Sequence, residues 1–344
     1  MERNKIIDIA KGIGIILVVY THTKCYAHDS IYIFIMPLFF ALSGYFFNEQ
    51  RKLSDNIKNK FKTLIIPYIF YFLLVQILFI IVHKFFYKDA YFGWEMFYKP
   101  WGPVGPLWFF YGLFWTSILF SIVHYIFKNK YVVAIVCLSF GVIGYLLSQY
   151  HIAIPISTIV KNGIKIPLYI DSSMSMMPFY YFGFFLKKSN FVQRLDDKKT
   201  SFILAAACLG IYILGIISCL VNNTKPNEVP DNYILFLFSA CSAIILMLIL
   251  SNWISKLRFA ANFFSLYGKQ SLIIFVFHFC TFYLYYLIFK TSFSQLRYLD
   301  GFFITIFALI LSMIIGLLQL KYLPIPNLKE AYSYLKEKLS YLKK

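Results

Sequence analysis

Residues 8–47 read DIAKGIGIILVVYTHTKCYAHDSIYIFIMPLFFALSGYFF. These are two apolar runs of membrane-crossing length joined by a short polar turn. The first run carries Asp8 and Lys11 near its start and ends on His22. An ionisable side chain inside a membrane helix is costly, so its default reading is a site rather than scaffold. Lys11 and His22 are eleven residues apart, a rotation of about 1100° or roughly three full turns, so both project from one helix face. Their Cα atoms are expected about 16 Å apart along the axis. The second run contains Pro37, which can bend it, and Ser43 and Gly44, which permit close backbone approach. Gly12 and Gly14 offer a small surface on the first run, and the two helices are expected to pack through these positions.

The rest of the chain repeats the pattern. Of 344 residues, 60% are hydrophobic and 21% aromatic, and the mean hydropathy is +0.68. That composition is foreign to soluble domains and fits a polytopic membrane protein. Apolar runs recur near 6–23, 31–47, 63–87, 105–127, 131–148, 168–186, 201–221, 233–251, 269–289 and 301–320. The expected fold is therefore all-α, with about ten transmembrane helices and no inserted soluble domain. Residues 1–320 are expected to form one transmembrane domain. Residues 321–344 are expected to form a basic amphipathic tail on the cytoplasmic leaflet, since apolar residues recur there at helical spacing between lysines.

The net charge of +18 is informative through its placement. Connectors on the N-terminal side, counted with the tail, hold 23 Lys and Arg, against 9 on the opposite side. By the positive-inside rule both termini are cytoplasmic, which puts His22 at the outer end of the first helix. A nucleic-acid-binding reading would need a basic face on a soluble module, and none is present. MERNK ahead of an apolar run imitates a signal peptide. Asp8 and Lys11 interrupt that run and no small-residue cleavage site follows, so the segment is expected as a retained helix. Six scattered cysteines show no CxxC or His/Cys ligand spacing, and no metal site is expected.

Further candidates lie along the chain. Trp101, Trp108 and Trp115 read either as an interfacial aromatic belt or, for Trp108 above all, as a sugar-stacking wall. Asp171, beside Ser172, Ser173 and Ser175, either faces water or orients a histidine or an acceptor hydroxyl. In GKQSLIIFVFHFC, Ser271 and His278 are seven residues apart, near one face. His278 is either a packing residue bonded to a backbone carbonyl or a substrate contact. His28, His83, His124 and His151 lie near helix ends or in loops, where water can satisfy them, and receive no role.

Taken together, Asp8-x-x-Lys11-Gly12 followed by His22, Pro37-Leu-Phe-Phe-x-Leu-Ser43-Gly44-Tyr-x-Phe, Pro106-Leu-Trp108-Phe and Gly268-x-x-Ser271-Leu…His278 resemble the acyltransferase-3 family of bacterial membrane acyltransferases. The resemblance covers essentially the whole chain. The family's first-helix pattern is usually arginine, ten residues, then histidine; here Lys11 stands for the arginine with the spacing intact. The resemblance implies transfer of an acyl group, most often acetyl, from cytoplasmic acyl-CoA to a hydroxyl of an extracytoplasmic or lipid-linked glycan. It implies a multi-pass protein of the bacterial cytoplasmic (inner) membrane, of the stand-alone type, with no cofactor beyond the acyl-CoA donor.

Such chemistry needs a base of near-neutral pKa and charge stabilisation for a tetrahedral oxyanion. His22 is the expected base, with His278 the next candidate. Lys11, with Asp8 as its i,i+3 partner, is expected to hold a CoA phosphate or line its path. Ser43 and His278 could polarise the thioester carbonyl, while Trp108 and Asp171 are the candidates for acceptor binding. A different class remains open: a transporter or flippase for a glycan or small polar solute suits ten spans with intramembrane charges, although the halves lack the internal repeat it predicts. An amino-acid-binding membrane subunit is a third reading.

Overall fold

Two of the apolar helices open on an asparagine cap, Asn4 and Asn232. Asn4 opens the first, its side chain accepting from the Ile6 and Ile7 amides at 3.0 and 3.4 Å. A computed structural model describes residues 4–86, 107–149, 169–221, 232–291 and 296–322. Among these the secondary structure is helical throughout, with no strand.

In chain order the helices are α1 (Lys5–Thr21), α2 (His28–Tyr45), α3 (Leu53–Lys60) and, after a π-helical turn at Phe61–Ile65, α4 (Ile66–Phe86). Then come α5 (Trp108–Ile126), α6 (Lys130–Gln149), α7 (Ile170–Ser175), α8 (Met177–Lys188) and α9 (Phe191–Arg194). The last five are α10 (Lys198–Val221), α11 (Tyr233–Ser255), α12 (Arg258–Lys269), α13 (Ser271–Phe289) and α14 (Tyr298–Tyr322). The described parts of the expected runs lie mainly on helix. Among the described residues six helices, α5, α6, α10, α11, α13 and α14, are long and apolar enough to cross a membrane. α1 is shorter, at 17 residues.

One expectation needs correction. The run 168–186 is not one helix: it breaks at Met176 into α7 and α8, with Pro178 in the first turn of α8. Proline lacks the amide that would continue the preceding helix, and its ring crowds the carbonyl four residues back. The connector between α11 and α13 holds a further helix, the amphipathic α12. It buries Ala261, Ser265 and Gly268 and exposes Phe259 and Phe263. The expected tail helix from 323 onward, Trp101, His151 and the side chain of His83 lie outside the described residues.

The chain divides into two compact units. The first comprises Met1–Ala27, Ile69–Ala90 and Leu257–Lys344, and so contains α1, most of α4, and α12–α14. In it α1 packs chiefly on α12, and α13 on α14. The second comprises His28–Tyr68 and Tyr91–Lys256, with α2 against α8, α10 against α11 and α6 against α7 as its main pairs.

Glycines set the tightest of these contacts, with partners other than those expected. A Cβ on Gly12 would overlap the carbonyl of Phe264, and one on Gly268 would overlap the carbonyl of Asp8. Gly44 meets the Tyr180 carbonyl in the same way, and Gly183 that of Ala41. Gly12 therefore serves the α1–α12 contact, and Gly44 the α2–α8 contact. Small residues permit close approach but do not choose the partner.

Candidate active site

In the first unit, α1 runs without a break from Lys5 to Thr21, and His22 caps its C-terminus. The helical rise keeps the Lys11–His22 separation near 16 Å along the axis. Asp8 is buried and Lys11 half-buried. Beyond His22 the chain is tied down. The Thr23 hydroxyl donates to the carbonyls of Tyr20 (2.7 Å) and Gly301 (3.2 Å) and lies 3.4 Å from the Thr305 hydroxyl. Gly301 is packed so closely that a Cβ there would overlap the Lys24 carbonyl. The end of α1 is thus anchored to the start of α14 at the residues that follow the imidazole.

His22 meets His278. The two rings stack with centroids 5.3 Å apart and planes 26° apart, and Phe279 closes on both, its centroid 4.9 Å from His22 and 4.7 Å from His278. His22 is half-buried, whereas His278 is fully buried in α13. The Nδ1 of His278 faces the Phe275 carbonyl at 2.7 Å and the Ile274 carbonyl at 3.2 Å. Carbonyl oxygens only accept, so Nδ1 carries a proton, and in the neutral form of the ring the lone pair is then at Nε2. That Nε2 is buried and has no hydrogen-bond partner among the described residues.

A second orphaned group was not singled out in the sequence. Gln270, 1% exposed, stands at the junction of α12 and α13, two residues past the Gly268 that touches Asp8. Neither its Oε1 nor its Nε2 has a partner among the described residues. The signal was available, since Gln270 sits inside the Gly268-x-x-Ser271 motif, but an amide between two glycine- and serine-defined turns reads as a cap. In the same unit the Tyr71 hydroxyl donates to Gln319 Oε1 at 3.3 Å, and Ser312, fully buried in α14, has an unpartnered hydroxyl. This helical unit therefore holds a buried amide and a buried imidazole with hydrogen-bonding capacity to spare. Orphaned buried polar atoms are costly in a packed interior and common where a ligand completes them.

The remaining candidates belong to the second unit. Ser43 is half-buried in the last turn of α2, its carbonyl accepting from the Phe46 amide at 3.2 Å. Trp108 opens α5, half-buried, with its ring 5.6 Å from that of Tyr169 and its edge over Gly112. Asp171 is buried in the first turn of α7; Ser172 donates weakly to its carboxylate at 3.5 Å, and Ser175 donates to its backbone carbonyl at 3.1 Å. Thr116 of α5 ties α7 in place by donating to the Ser173 carbonyl at 2.8 Å. Trp108 and Asp171, separated by an aromatic residue, share one corner of this unit, and the reading of Asp171 as a water-facing residue does not survive its burial.

His124 also departs from expectation. Water does not surround it: Phe120 stacks on it at 6.0 Å, the rings of Phe47 and Phe184 approach edge-on at 5.4 and 5.3 Å, and its Nε2 lies 3.9 Å from Glu49. Glu49 in turn pairs with Lys188 at 2.5 Å. Cys25, Cys137 and Cys208 are buried, and Cys137 and Cys208 are free thiols. Among the described residues no cluster of three His, Cys, Asp or Glu could hold a metal ion.

One comparison with known proteins bears on this geometry. The acyltransferase-3 family model, described as an acyltransferase domain, matches residues 4–318. No curated protein and no solved structure matches the chain.

Proposed function

The chain belongs to the acyltransferase-3 family, and on that premise we propose that it moves an acyl group, acetyl in the first instance, from cytoplasmic acyl-CoA to a hydroxyl of a cell-surface or lipid-linked glycan. It does so as a ten-span protein of the bacterial inner membrane with both termini in the cytoplasm. The observation that supports this reading best is the His22–His278 pair at the end of the helix that carries Lys11.

In the proposed step His22 accepts the proton of the acceptor hydroxyl, and the oxygen attacks the thioester carbonyl. The tetrahedral intermediate collapses with breakage of the C–S bond. The CoA thiolate leaves and takes up the proton from the imidazolium, giving an ester and free CoA-SH. His278, with its Nε2 lone pair unused, stacks against the base and is its nearest candidate proton partner. Lys11, about 16 Å away, is too far to touch the reacting carbon; that distance suits contact with the distal phosphates of a donor with a long arm. Asp8 orients Lys11, Ser43 is a candidate for the thioester carbonyl, and Trp108 and Asp171 are candidates for the acceptor sugar.

The test uses membrane vesicles carrying the protein and acetyl-CoA labelled in its acetyl group. Label is followed into lipid-linked and surface glycan for the wild type and for His22→Ala at equal expression. Transfer by the wild type that is lost in the variant is the expected result. Equal transfer in both would move the base elsewhere. No transfer by the wild type from any of several acyl-CoA donors would overturn the enzyme reading in favour of transport.

A further inference from the structure

The polar end of the α10–α11 pair holds a cavity that the acyl-transfer step does not use. α10 starts at Lys198 and α11 ends at Ser255, so the start of one helix lies beside the end of its neighbour. Between them opens a cavity of about 610 Å³ lined by Lys198, Lys199, Phe202, Trp253 and Lys256. Three lysine side chains from the start of α10 and the residue after α11 thus line one space together with two aromatic rings. The acidic neighbours compensate them only in part. Asp196, 75% exposed, lies 3.7 Å from Lys256. Asp197 is engaged with the hydroxyl and amide of Thr200.

Directly next to these cations the surface turns apolar. Phe202 is 69% exposed, and Leu209 and Ile213, seven and eleven residues on, fall on the same helix face and are also exposed. Leu250 and Trp253 extend the exposed surface on α11. A free anion has no use for such a stripe. An anionic lipid uses both parts: its phosphate meets the lysines, its glycerol region lies level with the amphipathic indole of Trp253, and its acyl chains run along the stripe. The three lysines belong to the lysine-rich side of the chain, which by the positive-inside rule faces the anionic leaflet.

We propose that this cavity is a binding site for the head group of an anionic glycerophospholipid. The site goes beyond the transferase reading and rests only on α10 and α11 crossing the membrane, so it stands or falls without any measurement of acyl transfer.

Native mass spectrometry of the full-length protein in mild detergent tests it, with phosphatidylglycerol and phosphatidylcholine of identical chains as probes. The wild type is expected to retain phosphatidylglycerol in preference to phosphatidylcholine. Each of K198Q, K199Q and K256Q should weaken that retention about fivefold, and the triple variant should abolish the preference. K52Q/K58Q, at the N-cap and within the separate helix α3, should leave it unchanged. A loss in K52Q/K58Q equal to that in the triple variant would reduce the effect to a general basic surface and overturn the site. Equal retention by the wild type and the three single variants would overturn it as well, and those single variants carry the test if the triple does not fold. Inorganic phosphate and free CoA are the final arms, expected not to displace the lipid. Displacement by either would make this a soluble-anion site instead.

Discussion

The imidazole of His22 lies stacked on that of His278, ring centroids 5.3 Å apart, although 256 positions separate them in the chain. One ring is half-buried and the other fully enclosed, and the enclosed one is locked by its Nδ1–H against the Phe275 carbonyl. Such a pair joins a partly accessible imidazole to an enclosed one. The partly accessible His22 can meet an acceptor, while His278 holds its orientation through the backbone of α13.

The two histidines should therefore respond differently to replacement. His22→Ala is expected to lower the turnover of labelled acetyl transfer by about 10²–10⁴-fold, the usual range for loss of a general base. His278→Phe keeps an aromatic ring against His22 but removes Nε2. It should reduce transfer while leaving thermal stability close to wild type. Unchanged turnover in His278→Phe would assign that residue to packing alone.

Gln270 offers a test in which stability and activity move in opposite directions. Both its polar atoms are buried without partners among the described residues, and an unsatisfied buried group costs about 1–3 kcal/mol. Gln270→Leu should raise the melting temperature in detergent and at the same time depress acyl transfer. A rise in melting temperature with full activity would mean that the amide meets no substrate.

The glycine contacts predict a sharp positional contrast. Gly12→Ala and Gly268→Ala each drive a methyl into a backbone carbonyl, which cannot swing aside, and should destabilise by about 1–3 kcal/mol. Gly210, in the middle of α10, has nothing within 4 Å of a Cβ. Gly210→Ala should leave stability unchanged or raise it by up to about 1 kcal/mol, because alanine favours the helix. Melting curves of the three variants check the order.

Acid should loosen the start of α10 through Asp197. The Thr200 hydroxyl and amide hold its carboxyl below the usual carboxylate range. A depressed folded-state value means that the stabilisation is present at pH 7 and is lost as pH falls through that lowered value, below the ordinary 3.8. Amide exchange at Thr200 and Ser201 should be faster in Asp197→Ala than in wild type at pH 7, and the difference should shrink below about pH 3.8. A difference independent of pH would place the cap in the backbone rather than the carboxylate.

What could be read from the chain was whatever repeats along one helix. Lys11 and His278 lie on helices where the apolar runs stand, and His22 caps the first of them. Contacts between distant segments were not legible. Nothing in Gly12 says that Phe264 rather than a neighbour on α2 will face it, and nothing in His124 announces Phe47 and Phe184. Other features were written but easily passed over. Pro178 marks the break between α7 and α8. Ala261, Ser265 and Gly268, at i, i+4 and i+7, trace the buried face of α12 within a stretch whose polar residues suggest a connector.

The contact of Gly12 and Gly268 leaves no slack between α1 and α12. A roll of α1, or a slip by one residue, would bring Lys11 or Ile13 against the Phe264 carbonyl. Any motion that admits a ligand must then carry the two helices together as a single strut. In the proposed mechanism Lys11 and His22 are then marks on a ruler, not the jaws of a clamp: the span between them would be set before the donor arrives, and a donor whose reach does not match it would have no means of adjusting it.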